Sequence, residues 1–321
     1  MKLFKYSSII LIGLLGLLYV NFDSKFNLKK ELVVDVKQGM SMQDISFLLQ
    51  SNNLLYSTFF LNQYSRILGK STQIKTGEYL VTNNDSIFSL LDKFSKGEIY
   101  YRSVRFKEGS TFSQLLLILK QLDGIIDNLK VNPDSLIAKE TGSKYSSMEG
   151  IFSPDTYYYK KGDTASSLLV RAYKQQKKEL NTLWKNRMPG LPYKSEEDAL
   201  TMASIIEKEG VEKKRIAGVF INRLNAKMRL QSDPTVIFAL GKNFDGNIRK
   251  KDLRLKHPYN TYMIQGLPPG PISLVSLESI KAALQPEITN DYYFVSRGDG
   301  THQFSATLEQ HNKAVKEYQL K

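Results

Sequence analysis

The chain of 321 residues contains no cysteine. That excludes disulfide staples, thiol nucleophiles, thiolate metal sites and a lipidated-cysteine anchor. Histidine is almost as scarce: His257, His302 and His311 are the three, and no His-Glu-x-x-His spacing joins them. No metal site is expected, and no cofactor. The one tryptophan, Trp184, is expected in the core. Acids are also few, 32 against 45 Lys and Arg, for a net charge of +13. Such an excess favours an anionic partner: a membrane surface, nucleic acid or an acidic polymer. With no basic-aromatic stripe and no zinc-finger or RNP-type motif, nucleic acid is not expected.

One long apolar run is present, Tyr6–Phe22, preceded by Lys2 and Lys5 and free of charge. As a helix it would span about 25 Å, a little less than a hydrocarbon core. No small-x-small cleavage site follows, so the run reads as a retained single-pass anchor with the N-terminus cytoplasmic and the remainder translocated. Residues 30–100 read as a small α/β unit. Leu32–Val36 is strand-like, Ser41 caps a helix through Ile45, Leu48 and Leu49, and Glu78–Thr82 and Ser86–Leu91 repeat the pattern. A third strand-turn-helix begins at Arg102–Phe106, with Ser110 ahead of Phe112–Leu122. Asp163–Leu183 reads as a long amphipathic helix with a basic face, and Asp291–Ser305 as a β-hairpin. Tyr259–Tyr262 and Gly266–Pro271 must be loops, given their prolines and glycines.

The stretch Ser195–Thr235 organises the rest. Ser195 is the N-cap of a helix with acids in its first turn, and Gly210 stops it as a residue tolerant of a left-handed C′ conformation. Leu200, Met202, Ala203, Ile205 and Ile206 cover most of the helical wheel, so the helix is expected to be buried. Glu207 falls on the face of Leu200 and Ala203, and Glu209 about 200° further round. A carboxyl group in apolar surroundings has its pKa raised, which suits a general acid. The equal alternative is a helix-end carboxylate paired with a nearby Lys or Arg. Pro234 biases Asp233 away from helix, so Leu230–Thr235 reads as an ordered polar loop, of the kind a saccharide site uses beside a proton donor.

Several motifs in this order carry a resemblance: Ala203–Glu209 (ASIIEKE), Val219–Leu224 (VFINRL), Leu230–Val236 (LQSDPTV), Tyr259–Tyr262 (YNTY) and Gly266–Gly270 (GLPPG). Upstream stands Glu149–Tyr157 (EGIFSPDTY), and downstream His302–Ser305 with His311 and Asn312. Together they resemble the endolytic murein transglycosylase family (MltG, YceG-like) over nearly the whole chain after the apolar run. That family usually has Thr after Glu-Lys-Glu and a longer connection to VFINRL; this chain has Gly210 and a shorter one.

The resemblance implies an α+β protein: an N-terminal transmembrane helix, a small LysM-like α/β module and a larger α+β catalytic domain. The corresponding divisions are residues 1–29, 30–100 and 101–321. It implies cleavage of MurNAc-GlcNAc bonds within nascent peptidoglycan strands. Glu207 would act first as acid and then as base, and the muramic C6 hydroxyl as internal nucleophile, leaving 1,6-anhydro ends. Substrate-binding residues would be Ser204, Asn222, Arg223, Gln231, Ser232, Asp233, Thr235, Tyr259, Asn260, Thr261 and Tyr262. The partners implied are glycan strands, the inner membrane through the single-pass anchor, and peptidoglycan synthases, with the catalytic domain on the extracytoplasmic side. Two other readings compete: a non-catalytic glycan-binding scaffold of the envelope, and a muramidase using water with Asp233 as second carboxylate.

Overall fold

A computed structural model describes residues 23–145 and 147–319. The chain divides into two compact units, one running to Arg102 and including Tyr158–Gly162, the other made of Ser103–Tyr157 and the chain from Asp163 onward.

In the first unit β1 (Leu32–Val36) pairs antiparallel with β2 (Gly77–Val81), Val34 opposite Tyr79. Helices α1 (Met42–Ser51) and α2 (Thr58–Ile67) lie between them in sequence and α3 (Ile87–Lys96) follows. Period-two alternation sends Val34, Val36, Tyr79 and Val81 inward, against Ile45, Leu49, Leu61, Leu90 and Phe94 from the helices. The caps read from sequence form: Ser41 and Asp44 make a capping box on α1, and Ser86 and Ser89 one on α3.

Strand β3 (Arg102–Arg105) pairs with β4 (Thr156–Tyr159), and the second unit holds α4 (Phe112–Lys120), α5 (Pro133–Thr141) and the long α6 (Ala165–Lys185). Around its centre stand α7 (Glu196–Glu209), α8 (Lys213–Asn225), α9 (Asp233–Leu240) and α10 (Leu277–Leu284), and it ends in the hairpin β5 (Tyr293–Ser296), β6 (His302–Ser305) and α11 (Leu308–Tyr318). Helix α7 is the pivot. Ser195 caps it as expected, Ala199–Ile206 are all buried, and α6, α8, α9 and α10 pack around it. The hairpin pairs Phe294 with Phe304 and Ser296 with His302.

The mixed α and β content agrees with expectation, but the transmembrane part does not. No helix among the described residues is long and apolar enough to cross a membrane. The run Tyr6–Phe22, on which that expectation rested, lies outside the described residues. The LysM-like label likewise finds no support of its own, and the first unit is described here only by its order β1–α1–α2–β2–α3.

Smaller corrections have local causes. Helix α4 ends at Lys120 rather than Leu122, and Thr111 caps its start by accepting from the Gln114 amide. Asp233 opens a helix instead of ending a loop, since Pro234 in the first turn lacks only an N–H that the helix would leave unbonded. Trp184 is half-buried, with the Arg187 guanidinium 3.9 Å from its ring centroid. Gly210 is extended, at φ 166°, not left-handed. Its need for no side chain is steric: a Cβ there would sit 2.7 Å from His302 Cε1.

Gly218 shows the same kind of close approach on α8. A Cβ there would meet the Glu287 carbonyl oxygen at 2.4 Å and Thr289 Cγ2 at 2.9 Å. Gly218→Ala gains helix propensity but must push backbone aside, so it is expected to destabilise by ~1–3 kcal/mol. Urea unfolding checks this; an unchanged or more stable variant would show that the chain after α10 yields freely.

Candidate active site

The two acids at the end of α7 occupy different worlds. Glu207 turns toward α10. Its Oε2 accepts from the Ser276 amide at 3.0 Å, from the Ser276 hydroxyl, and from the Ser279 hydroxyl at 2.6 Å. Its Oε1 accepts from Lys213 Nζ at 3.1 Å, with the two side chains only 5% and 14% exposed. Burial pushes this carboxyl group up, but the Ser276, Ser279 and Lys213 interactions outweigh it and hold Glu207 below the usual carboxylate range. Ser276 is the N-cap of α10, so Glu207 also sits at the positive end of that helix. This is the ion-paired alternative, and the arrangement stabilises a carboxylate rather than a proton donor.

Glu209 borders a cleft of about 650 Å³, within the range of small-ligand sites. Its walls are the α7 end, Arg223 of α8, Leu230 and Gln231, Asp233 at the head of α9, Tyr262, the hairpin with Phe294 and His302, and His311 of α11. Burial, with the Asp233 carboxylate adding to it, pushes the Glu209 carboxyl group up to about 7, against the opposing Ser232 hydrogen bond and the Arg223 charge. The Ser232 hydroxyl donates to Glu209 Oε1. A carboxyl group that is protonated near neutral pH at the edge of a cleft meets the requirement for a general acid. The raised carboxyl group expected at this helix end is that of Glu209, while Glu207 is held low.

The loop residues divide into walls and struts. Gln231 holds a left-handed conformation, φ 50°, with its amide bonded to the Thr261 carbonyl at 3.2 Å, and it lines the cleft. Asp233 also lines it and accepts from the Tyr262 hydroxyl at 2.6 Å. Arg223 is buried, donating to the Tyr292 carbonyl at 2.6 Å and the Leu230 carbonyl at 2.7 Å, and it contributes to the wall from there. Burial of its guanidinium group pulls it below its usual range.

The remaining candidates are spent on the fold. Ser204 accepts from the Ile272 amide at 2.9 Å and donates to the Thr201 carbonyl at 2.7 Å. Asn222 donates to the Thr289 and Asp291 carbonyls, tying α8 to the chain entering the hairpin. Thr235 and Thr261 share a hydrogen bond at 2.8 Å, and the Thr261 hydroxyl accepts from the Ser232 amide. Asn260 is fully buried and bonded to the Leu253 and Leu255 carbonyls. Tyr259 lies against Phe238, ring centroids 4.8 Å apart, outside the cleft wall.

Of the titratable residues lining the cleft, Glu209, His302 and His311 were not among the expected site residues. Glu209 follows Glu207 by two positions, so the available signal was its place on the opposite side of a helix that is apolar nearly all round. A helix buried on every side leaves an acid no ordinary solvent face, and its polar side must look onto something built.

The profile of the YceG-like family matches residues 34–317. An endolytic murein transglycosylase of Bacillus subtilis (strain 168) is 31% identical over 310 residues, covering 90% of this chain and 85% of that protein. One of Streptococcus pneumoniae (serotype 2, strain D39) is 28% identical over 331 residues, covering 91% of this chain but 59% of that longer protein. The crystal structure of a YceG-like protein of Listeria monocytogenes is similar at a TM-score of 0.54 and 31% identity, covering 89% of this chain and all of that one. The chain belongs to the YceG-like family.

Proposed function

We propose that the chain is a lytic transglycosylase that cuts peptidoglycan glycan strands internally, with Glu209 as the general acid. The observation that carries the catalytic assignment is the raised Glu209 carboxyl group at the edge of the 650 Å³ cleft. Membership of the family and relatives named endolytic murein transglycosylase support the substrate and the reaction. Glu209 gives its proton to the glycosidic oxygen between MurNAc and GlcNAc. The C6 hydroxyl of the muramic residue closes onto C1 and leaves a 1,6-anhydro end. An internal nucleophile avoids the entropy cost of capturing a water molecule. Gln231, Asp233, Arg223 and Tyr262 supply the hydroxyl-matching wall, with Asp233 held by Tyr262 as a positioning carboxylate.

Substrate of this kind lies outside the cytoplasmic membrane, so this reading has the catalytic unit working on that side. Peptidoglycan synthases, which deliver new strands, are the partners this reading implies. The net charge of +13 suits contact with an anionic wall.

Mass spectrometry of the sugar ends released from isolated, uncross-linked glycan tests the reading. Anhydro ends on fragments of intermediate length are expected. Reducing ends would make the protein a muramidase working through water, and intact strands would leave a binding protein; either result overturns the proposal.

A further inference from the structure

The attacking hydroxyl must lose a proton as the anhydro ring closes, and the cleft holds a group built to take it. His302 stands in the wall of the cleft that Glu209 borders, with its side chain 9% exposed. Its Nδ1 lies 2.9 Å from Glu212 Oε2, and the same oxygen accepts from the His302 amide at 2.7 Å. A carboxylate accepts only, so Nδ1 carries the hydrogen, and Nε2 is the ring nitrogen left to exchange a proton. Among the described residues no protein group bonds to Nε2, and it is not among the buried atoms left without a partner, so it retains access to the cleft. The ring is clamped edge-on against Phe294, with centroids 5.4 Å apart. Gly210, next to Glu209, gives the space: any Cβ there would collide with the imidazole.

Two local features make the arrangement. The connection between α7 and α8 sets Glu212 at the N-cap of α8, and Gly210 leaves the imidazole its space. Both bear on the same ring.

We infer that His302 is the base that accepts the proton of the muramic C6 hydroxyl, and that Glu212 is the positioning residue that fixes its tautomer and stabilises the imidazolium formed. This rests on the transglycosylase reading and divides its proton transfers between two groups. As Glu209 passes its proton to the leaving oxygen, the C1–O bond breaks, O6 bonds to C1, and the O6 proton goes to Nε2. Glu209 ends as carboxylate and His302 as imidazolium. Solvent carries the proton back between turnovers, with no oxidation and no co-reactant.

Glu212, at the head of α8, faces the ring directly, and Glu209, Arg223, Asp233, Tyr262 and His311 line the same cleft.

The test measures kcat and KM for anhydro-end formation by the full chain on isolated glycan, for wild type, His302→Gln and Glu212→Gln. For His302→Gln, kcat is expected to fall about 10²-fold with KM changed less than about twofold. For Glu212→Gln, which keeps an acceptor for Nδ1–H but removes the charge, kcat should fall about tenfold with KM changed less than about twofold. The Glu212 variant leaves the ring in place and so carries the kcat readout should the first variant fold poorly. Wild-type protein that forms no anhydro ends overturns the function and this role together. Wild-type kcat that survives in His302→Gln overturns the role of His302 alone. An unchanged kcat in Glu212→Gln likewise refutes the pairing.

Discussion

Glu209→Gln removes glycan cleavage while the protein stays folded. Gln keeps the side-chain shape and an oxygen to accept from Ser232, but it has no proton to give to the glycosidic oxygen. General acids contribute on the order of 10²–10⁴ in rate, so the release of anhydro ends should drop by at least about 10²-fold. Because the Glu209 carboxyl group is pushed up to about 7, wild-type cleavage should decline as pH rises through that value and the acid is lost. The same shift has a sign for stability. A carboxyl group whose folded-state pKa is raised favours folding below its unfolded value, and that contribution is lost as pH rises through about 7. The Gln variant, neutral throughout, should lose less stability than wild type between pH 5 and 8. Turnover near wild-type level by Glu209→Gln would end its candidacy as the acid, and an identical pH dependence of melting would show that its carboxyl group is not raised.

Much of the scaffold was legible in the sequence because its signals are local. Ser41, Ser86 and Ser195 cap helices through side chains that reach only three residues ahead, and the hairpin declares itself by alternation around a Gly-rich turn. What the helical wheel of α7 could not say is what stands opposite each face. Glu207 was placed rightly on the buried side, but burial alone does not raise a carboxyl group when Ser276, Ser279 and Lys213 arrive from distant or later parts of the chain. Glu209 looked outward, and nothing local reveals that α9, the Tyr262 loop and the hairpin form a cleft there.

The same limit explains the loop residues. Polar side chains in LQSDPT and YNTY were read as sugar contacts, yet Thr235, Asn260 and Thr261 use their hydrogen-bonding groups on one another and on backbone. A buried loop must satisfy its own backbone before it can offer anything to a ligand. The pairing of Thr261 with Ser232 and Gln231 has a functional consequence all the same: it holds the hydroxyl that bonds Glu209, and it presents Gln231 and Asp233 to the cleft. The polar motif is thus both strut and wall, and only the three-dimensional partners divide the two.

Glu207→Ala should strongly destabilise the catalytic unit, with little effect on chemistry in molecules that remain folded. It removes the carboxylate to which Lys213, Ser276 and Ser279 all donate, leaving an ammonium group 14% exposed without its counter-charge. Breaking a buried pair in this way costs ~3–5 kcal/mol. The helices involved, α7, α8 and α10, pack directly on one another, so the loss falls on the centre of the unit. Because interactions hold the Glu207 carboxyl group below its usual range, its contribution is present above the ordinary carboxylate pKa and is lost as pH falls through the depressed value. The gap between wild type and Glu207→Ala in denaturant midpoint should therefore be full at pH 7 and narrow in acid. Lys213→Met combined with Glu207→Ala should recover part of the loss, since it removes the orphaned charge. Measured on the folded fraction, Glu207→Ala should keep anhydro-end formation within about tenfold of wild type, far above Glu209→Gln. A Glu207 variant of normal stability that no longer cleaves glycan would reverse the assignment and make Glu207 the acid.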